Sequence, residues 1–280
     1  MDNIKISVVV PTYKPGEYLR ECLDALDRQT LAKEQYEVIV VLNGCDEPYS
    51  SFVNGIIEAM SCQVKFIHTQ QGGVSNARNI GIDAAAGEYL FFQDDDDYLT
   101  DNYLESMLSM AAPDTIPISN AIAFKDKTRE QVPTYRQTNW YKKYAPKGKQ
   151  YYSHIRGYFS GPWMKLIHRD VIGDRRYDTR FKNGEDGLYN FLISNRFKYV
   201  VFTSPDVIYY RRYRDESAIA NLKFSKEIAK NTFSLLWQYT RIFCSWGGYS
   251  FRFYLTRILA TLHTLVGTLN RKKRYMTSKE

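Results

Sequence analysis

Cysteine is scarce and unpatterned. Cys22, Cys45, Cys62 and Cys244 show no CxxC spacing and no accompanying histidine ladder. No disulfide framework or structural zinc site is legible, and a reducing cytosol is the expected setting. His154, His168 and His263 show no ligand spacing either. Long apolar runs are also missing. A membrane-spanning helix needs about 20 apolar residues. The best tail candidate, 258–270, is bounded by Arg257 and Arg271 and contains His263. No basic stretch leading into an apolar run marks the N-terminus, so no signal peptide is expected. Internal repeats and low-complexity tracts are absent from the sequence.

What is present is ordinary globular composition, 44% hydrophobic and 25% charged over 280 residues. That suits one large α/β domain, alone or with an appended segment, and excludes intrinsic disorder. Aromatics reach 15%, enough for sugar- or base-stacking surfaces, though a core uses them equally. The net charge of +7 is uneven. From Arg211 onward, 14 basic residues face 4 acidic ones, whereas residues 1–210 carry 24 basic against 27 acidic. A mildly acidic body with a basic tail points to an anionic partner for the tail, such as phospholipid or a phosphorylated substrate. No recognition motif accompanies that charge, so nucleic acid is not expected as a partner.

The first 125 residues alternate strand and helix signals. The β-branched run Ile4–Val10 stops at Pro11, and Tyr36–Leu42 stops at Asn43-Gly44. Val64–Ile67, Tyr89–Gln93 and Ile116–Phe124 read as further strands, and Glu17–Gln29, Phe52–Met60 and Val74–Ala86 as helices. Asp101 is a candidate N-cap for a helix reaching Ala112. Doubly buried strands alternating with helices predict a largely parallel sheet, whose ligands bind beyond the carboxyl ends of the strands. Pro11-Thr12-Tyr13, Asn43-Gly44 and Asp94–Asp97 all fall at such ends. Residues 125–160, rich in Lys, Arg, Gln, Tyr and Pro, read as an excursion over the cleft. Order returns at Trp163–Ile167, near Asp186–Ser194, and at Tyr199–Phe202 and Val207–Arg211. Two helices follow, the second with one apolar stripe through Phe251, Leu255, Ile258, Leu262, Leu265 and Leu269.

Asp94-Asp95-Asp96-Asp97 directly follows an apolar strand. Asp94 and Asp96 are expected on one side, where two hard oxygen ligands suit Mg²⁺ or Mn²⁺ with phosphate oxygens completing the shell. The competing readings are a solvated acidic turn and a phosphatase-type Asp-x-Asp.

The stretches SVVVPTYKPGEYLRECLDALDRQT (7–30), GGVSNARNIGIDAAAGEYLFFQDDDDYL (72–99), GPWMKLIHRDVI (161–172) and NGEDGLYN (183–190) occur in the order found in inverting family-2 glycosyltransferases of the GT-A fold. The sequence resembles that family over about residues 4–217. The resemblance implies a GT-A, Rossmann-like, mostly parallel sheet flanked by helices. Residues 1–124 would form the nucleotide-sugar-binding half, 125–217 the acceptor-side half and 218–280 a basic helical extension. It implies inverting sugar transfer from a nucleotide-diphosphate donor, with UDP the expected nucleotide, to a glycan or lipid-linked glycan hydroxyl in surface polysaccharide synthesis. By the same resemblance Pro11, Thr12 and Tyr13 lie against the nucleobase and Arg78 lies near the donor. Asp94, Asp95 and Asp96 match the family's Asp-x-Asp, whose last carboxylate binds the metal. Asp186 matches the acceptor base, with Glu185 beside it. Trp163 and Lys165 match a run between donor and acceptor halves, where Trp163 would wall a sugar face or simply pack. One departure stands out: many relatives have Asp-Asp-Gly-Ser after the second strand, but this chain has Leu42-Asn43-Gly44-Cys45. Asn43 offers a donor as well as an acceptor to the base.

Arg211, Arg212 and Arg214, before Asp215-Glu216-Ser217, are expected over the donor pyrophosphate. The final helix and Arg271-Lys272-Lys273-Arg274 suit an anionic membrane surface. The alternative is packing on the catalytic domain or on a second subunit. A nucleotidyltransferase acting on sugar phosphates is the rival enzyme class, though Pro11–Gly16 is a poor version of its glycine-rich loop.

Overall fold

The computed structural model describes residues 4–214, 225–245 and 247–277, with side chains described through 269. The chain begins as expected, with strands alternating with helices. β1 (Ile6–Thr12), α1 (Glu17–Asp27), β2 (Tyr36–Asn43), α2 (Tyr49–Ile57), β3 (Gln63–Thr69), α3 (Val74–Ala84) and β4 (Tyr89–Phe92) build the first layer. β1, β2 and β4 are buried along their whole length, which is why they read as unbroken apolar runs. Even Glu37 is fully buried in β2. Its carboxylate accepts from Ser7 Oγ and the Ala86 amide, both at 2.6 Å, and pairs with Lys65 at 2.7 Å.

β1 runs parallel to β2 and β4, and β2 runs parallel to β3. The order is β3-β2-β1-β4, closed at the β4 edge by an antiparallel strand from later in the chain. The C-terminal ends of β1, β2 and β4 therefore open on one side of the sheet, the place such sheets reserve for ligands.

The chain then leaves this sheet through β5 (Tyr98–Leu99), α4 (Tyr103–Ser109), β6 (Thr115–Ile118), β7 (Asn120–Lys125), α5 (Arg136–Tyr144) and β8 (Gln150–Tyr151). β9 (Leu166–His168), α6 (Arg169–Ile172), α7 (Glu185–Ile193), β10 (Tyr199–Phe202) and β11 (Ile208–Tyr213) complete the body. β9 is the antiparallel edge strand beside β4. The single strand expected over Ile116–Phe124 is two strands in two small sheets, β6-β10-β8 and β5-β11-β7. They part at Ser119, whose amide donates to the Met164 carbonyl at 3.2 Å and whose hydroxyl meets Tyr103. The expected Asp101 cap is replaced by Asn102, with no side-chain capping bond.

Residues 125–160 are packed rather than draped. α5 lies on β7, and Tyr141, Tyr152, Tyr158 and Phe159 are buried in the core. α8 (Lys226–Ser245) and α9 (Phe251–Thr277) pack on each other and on α7, where the Phe191 ring meets Tyr239, Tyr249 and Phe253. α9 turns its Phe253–Arg257 side inward. Half of the anticipated stripe is not that side: Phe251, Leu255 and Leu262 are exposed, as are Leu259 and Val266 outside it. The side chains of the 271–274 run fall outside the described residues.

α3 lies close against the sheet at Gly81, where a Cβ would sit 2.2 Å from Val9 Cγ1. Val9 is β-branched, fully buried and fixed in β1. Gly81→Ala is expected to destabilise the protein by about 1–3 kcal/mol through overpacking. Urea denaturation reads this, and an unchanged midpoint would show that the helix can lift without cost.

Candidate active site

The ends of β1, β2 and β4 border a cavity of about 840 Å³. Two loops are stitched together at its back by Asn43. Its Nδ2 donates to the Thr12 carbonyl at 2.7 Å, and its Oδ1 accepts from the Gly73 amide at 2.9 Å. Beside it Gly44 adopts φ +106°, and a Cβ there would meet the Tyr13 ring at 2.8 Å. Only glycine lets that ring lie so close. Tyr13 remains 56% exposed, so its ring offers a stacking surface at the mouth. Pro11, Thr12, Tyr13 and Asn43 thus line one wall together.

An adjoining wall is acidic. β4 ends at Phe92, and the four aspartates form a turn closed by Gln93 Nε2 donating to the Asp97 carbonyl at 2.9 Å. The carboxylates of Asp94, Asp96 and Asp97 converge, with ligand atoms within 4.8 Å of one another. Asp95 points elsewhere and accepts from Thr12 Oγ1 at 2.5 Å. Sequence reasoning identified Asp94 and Asp96 as neighbours but missed Asp97. In a turn, strict alternation no longer sorts side chains to two faces. Asp97 is buried and already held by the Tyr209 hydroxyl and the Arg212 amide, both at 2.8 Å.

Cations answer this charge. Arg78, on α3, is 4% exposed and spans two carboxylates: Nη1 donates to Asp186 Oδ1 at 2.7 Å and Nη2 to Asp94 Oδ1 at 3.3 Å. Arg211 donates to Asp94 Oδ2 at 3.2 Å, and Arg214 meets Asp96 at 2.7 Å. Arg212 does not face the cavity centre. It is a buried pin that joins Asp126, Glu21 and the Asp96 carbonyl. Of the three arginines expected near the donor, Arg211 and Arg214 have their charge on the aspartate wall; Asp215, Glu216 and Ser217 fall outside the described residues.

Asp186 and Glu185 open α7 after Gly184, which adopts φ +86°. Burial raises both carboxyl pKa values, and the adjacent Asp186 charge raises Glu185 further, whereas Arg78 pulls Asp186 back. Asp186 keeps 20% side-chain exposure, enough to meet a substrate hydroxyl.

Trp163 takes the packing alternative, and Lys165 is enclosed by backbone. Trp163 is 8% exposed, stacked on Tyr209 at 5.2 Å, with the Arg211 guanidinium 4.9 Å from its ring. The Lys165 ammonium is buried and donates to the carbonyls of Tyr158, Gly161 and Trp163 at 3.0, 2.7 and 2.9 Å. It fixes the loop ahead of β9. Burial pushes its pKa down to about 7.

A family model for glycosyl transferase family 2 matches residues 7–175. The chain belongs to that family. EpsH of Bacillus subtilis (strain 168) is 28% identical over 222 residues, covering 75% of this chain and 62% of its own length. Poly(ribitol-phosphate) β-N-acetylglucosaminyltransferase TarS of Staphylococcus aureus is 32% identical over 102 residues, covering 36% of this chain and 18% of its own. The chain spans less than two thirds of the length of these curated relatives. The crystal structure of S. aureus TarS 1–349 with UDP-GlcNAc superposes with TM-score 0.65 at 21% identity, over 96% of this chain and 72% of that one. The mannosyltransferase PcManGT of Pyrobaculum calidifontis, in complex with GDP-Man and Mn²⁺, gives 0.63 at 17% identity, over 94% of this chain and 70% of that one. These likenesses establish the GT-A arrangement of a family-2 glycosyltransferase fold.

The converging carboxylates of Asp94, Asp96 and Asp97 fit a divalent cation by donor type, since all are hard oxygens. Asp96 is the best placed to exchange partners, because its cation, Arg214, is 48% exposed. Asp95 has a different liability. Burial raises its pKa from 3.8 to about 7, so the folded state holds this proton more tightly than the unfolded chain. Its ionisation removes stability as pH rises from about 4 to about 7, and the loss is complete above that. Asp95→Asn keeps an acceptor for Thr12 and is expected to raise the Tm of the metal-free protein by about 2–4 °C at pH 8. The gain should fade towards pH 4. Thermal unfolding across this range measures it, and a difference independent of pH would refute the assignment.

Proposed function

We propose that this protein transfers a sugar from a nucleoside-diphosphate donor, with UDP the favoured nucleotide, to an acceptor hydroxyl with inversion at the anomeric carbon. The observation that carries this reading is Arg78 joined to both Asp94 and Asp186. One guanidinium thereby holds the α7 carboxylate in fixed relation to the acidic turn, whose Asp94 borders a cavity sized for a nucleotide sugar. UDP is supported by the TarS complex with UDP-GlcNAc and by the Tyr13–Asn43 wall.

In this reading Tyr13 stacks on the base, and Asn43 positions it through the amide hydrogen and carbonyl lone pair not used on the loops. Asp96 and Asp94 would hold Mn²⁺ or Mg²⁺, which would supply positive charge for the departing diphosphate. Arg211 and Arg214, released from the aspartates on donor binding, add to that neutralisation. Asp186 takes the proton of the attacking hydroxyl as general base. Its raised pKa makes it a stronger base than an ordinary carboxylate, and Arg78 sets its orientation. A single in-line attack opposite the leaving group inverts the centre, the geometry in which inverting glycosidases also set a carboxylate base across the ring. Surface glycan synthesis is the setting the family members suggest, TarS acting on poly(ribitol-phosphate) by its name.

Asp96→Ala is expected to weaken Mn²⁺-dependent UDP binding by at least about tenfold. Asp186→Ala should leave the UDP-GlcNAc Kd within about twofold while lowering turnover by about 10²–10⁴. Calorimetry and donor-turnover assays separate the two. Undiminished turnover of UDP-GlcNAc, or of another nucleotide sugar that the wild type turns over, in Asp186→Ala would sink the base assignment.

No helix among the described residues is long and apolar enough to cross a membrane. The outward Leu255, Leu259, Leu262 and Val266 line of α9, followed by the basic run, supports peripheral contact with an anionic lipid surface instead. The protein is expected to co-float with phosphatidylglycerol vesicles at low salt, and Leu259→Asp should reduce the bound fraction at least about threefold. Equal flotation of wild type and variant argues against this contact.

A further inference from the structure

Among the described residues, most arginines have carboxylate partners. Arg78, Arg129, Arg176, Arg211, Arg212 and Arg214 each meet an aspartate or glutamate. One group without such partners shares a cavity. A second cavity, of about 560 Å³, shares no lining residue with the first and is bordered by Gly184 and Gly187, which flank Glu185-Asp186 at the start of α7. Arg136, Arg156 and Arg257 converge on it, and no aspartate or glutamate lines it.

The three guanidiniums are poorly satisfied. Among the described residues, no carboxylate pairs with Arg136 or Arg156. Arg136 lies over the Trp140 ring at 4.7 Å, which occupies its face and leaves its N–H edge available. Arg156 is partly buried, and burial together with the neighbouring Arg136 charge pushes its pKa down, the mark of an uncompensated cation. Arg257 is 4% exposed. It donates to the Phe159 carbonyl and, at 3.3 Å, to Ser160 Oγ, and its buried Nε has no partner. Three like charges around one recess repel unless an anion enters. The forked N–H geometry of arginine matches phosphate oxygens. The α7 amide end at the same rim adds partial positive charge.

We propose that this cavity seats a phosphoryl group carried by the acceptor, a phosphodiester or diphosphate, and so brings the acceptor hydroxyl to Asp186. This rests on the glycosyl-transfer reading above and names the chemical class of its second substrate. The volume exceeds one phosphate and leaves room for the adjoining sugar or polyol. The division of labour is by charge: the donor diphosphate goes to a cavity with its own carboxylates for a metal, the acceptor phosphate to one with none.

The test uses the full chain saturated with UDP and Mn²⁺, so that phosphate probes cannot occupy the donor cavity. Calorimetric titration with glycerophosphoglycerol, a soluble phosphodiester, is compared with a polyprenyl diphosphate in phosphatidylcholine vesicles. Glycerol and plain vesicles are the neutral controls. At least one phosphate probe should bind wild type when its control does not. Arg136→Gln/Arg156→Gln should weaken that binding by at least about tenfold with the UDP Kd unchanged, and Arg136→Lys/Arg156→Lys should restore part of it. Binding of the soluble probe alone supports a polyol-phosphate acceptor, and binding of the vesicle probe alone supports a lipid diphosphate. If neither binds, or if the glutamine variant binds undiminished, the proposal is wrong. A wild type that ignores UDP would refute the donor reading instead, and the phosphate titrations would still read this cavity.

Discussion

The Arg78 guanidinium is the constraint on which the rest of the site depends. It lies buried on α3, between a turn that follows β4 and a helix that begins about ninety residues later. Burying one cation between two carboxylates is costly unless all three are hydrogen-bonded in good geometry. That requirement fixes the distance between the acidic wall and the start of α7. It also explains why α3 must lie so close to the sheet, with Gly81 against Val9. A helix standing further out would carry Arg78 away from both partners.

Around this bridge the molecule treats its acidic turn as a charge problem with a layered answer. Asp97 is held internally by the Tyr209 hydroxyl and a backbone amide, with the Arg211 guanidinium 3.7 Å away. Asp94 and Asp96 face cations drawn partly from the strand β11, at the beginning of the basic tail. The tail's excess positive charge therefore begins inside the site. Arg212 shows how far this goes: it is spent entirely on holding β11 to Glu21, Asp126 and the turn itself. Its neighbours Arg211 and Arg214 stay accessible because Arg212 carries that structural load.

Much of this was legible in the sequence. Unbroken apolar runs gave β1, β2 and β4, since strands covered on both faces have no polar alternation to obscure them. The residues at their ends were legible as cavity residues because a parallel sheet offers ligands only one rim. What escaped depended on partners far along the chain. Ile116–Phe124 reads as one strand because nothing local reveals that the Ser119 amide turns to Met164. Asp97 reads like its neighbours until Tyr209 and Arg212 arrive. Lys165 matches a run between donor and acceptor halves, yet three carbonyls enclose its ammonium. The apolar residues of α9 are evenly spaced, but spacing cannot say which side a neighbouring helix covers. Here the inward side is chosen by Phe253 and Arg257, one of them charged.

The stitch made by Asn43 has a consequence for how this cavity can change. Its amide nitrogen holds one loop and its oxygen the other. The aspartate common in relatives would supply only oxygens, and one would face the Thr12 carbonyl, lone pair against lone pair. A swap at this single codon would therefore pry the two loops apart. An aspartate fits this position only in a backbone whose first loop has already moved away from it.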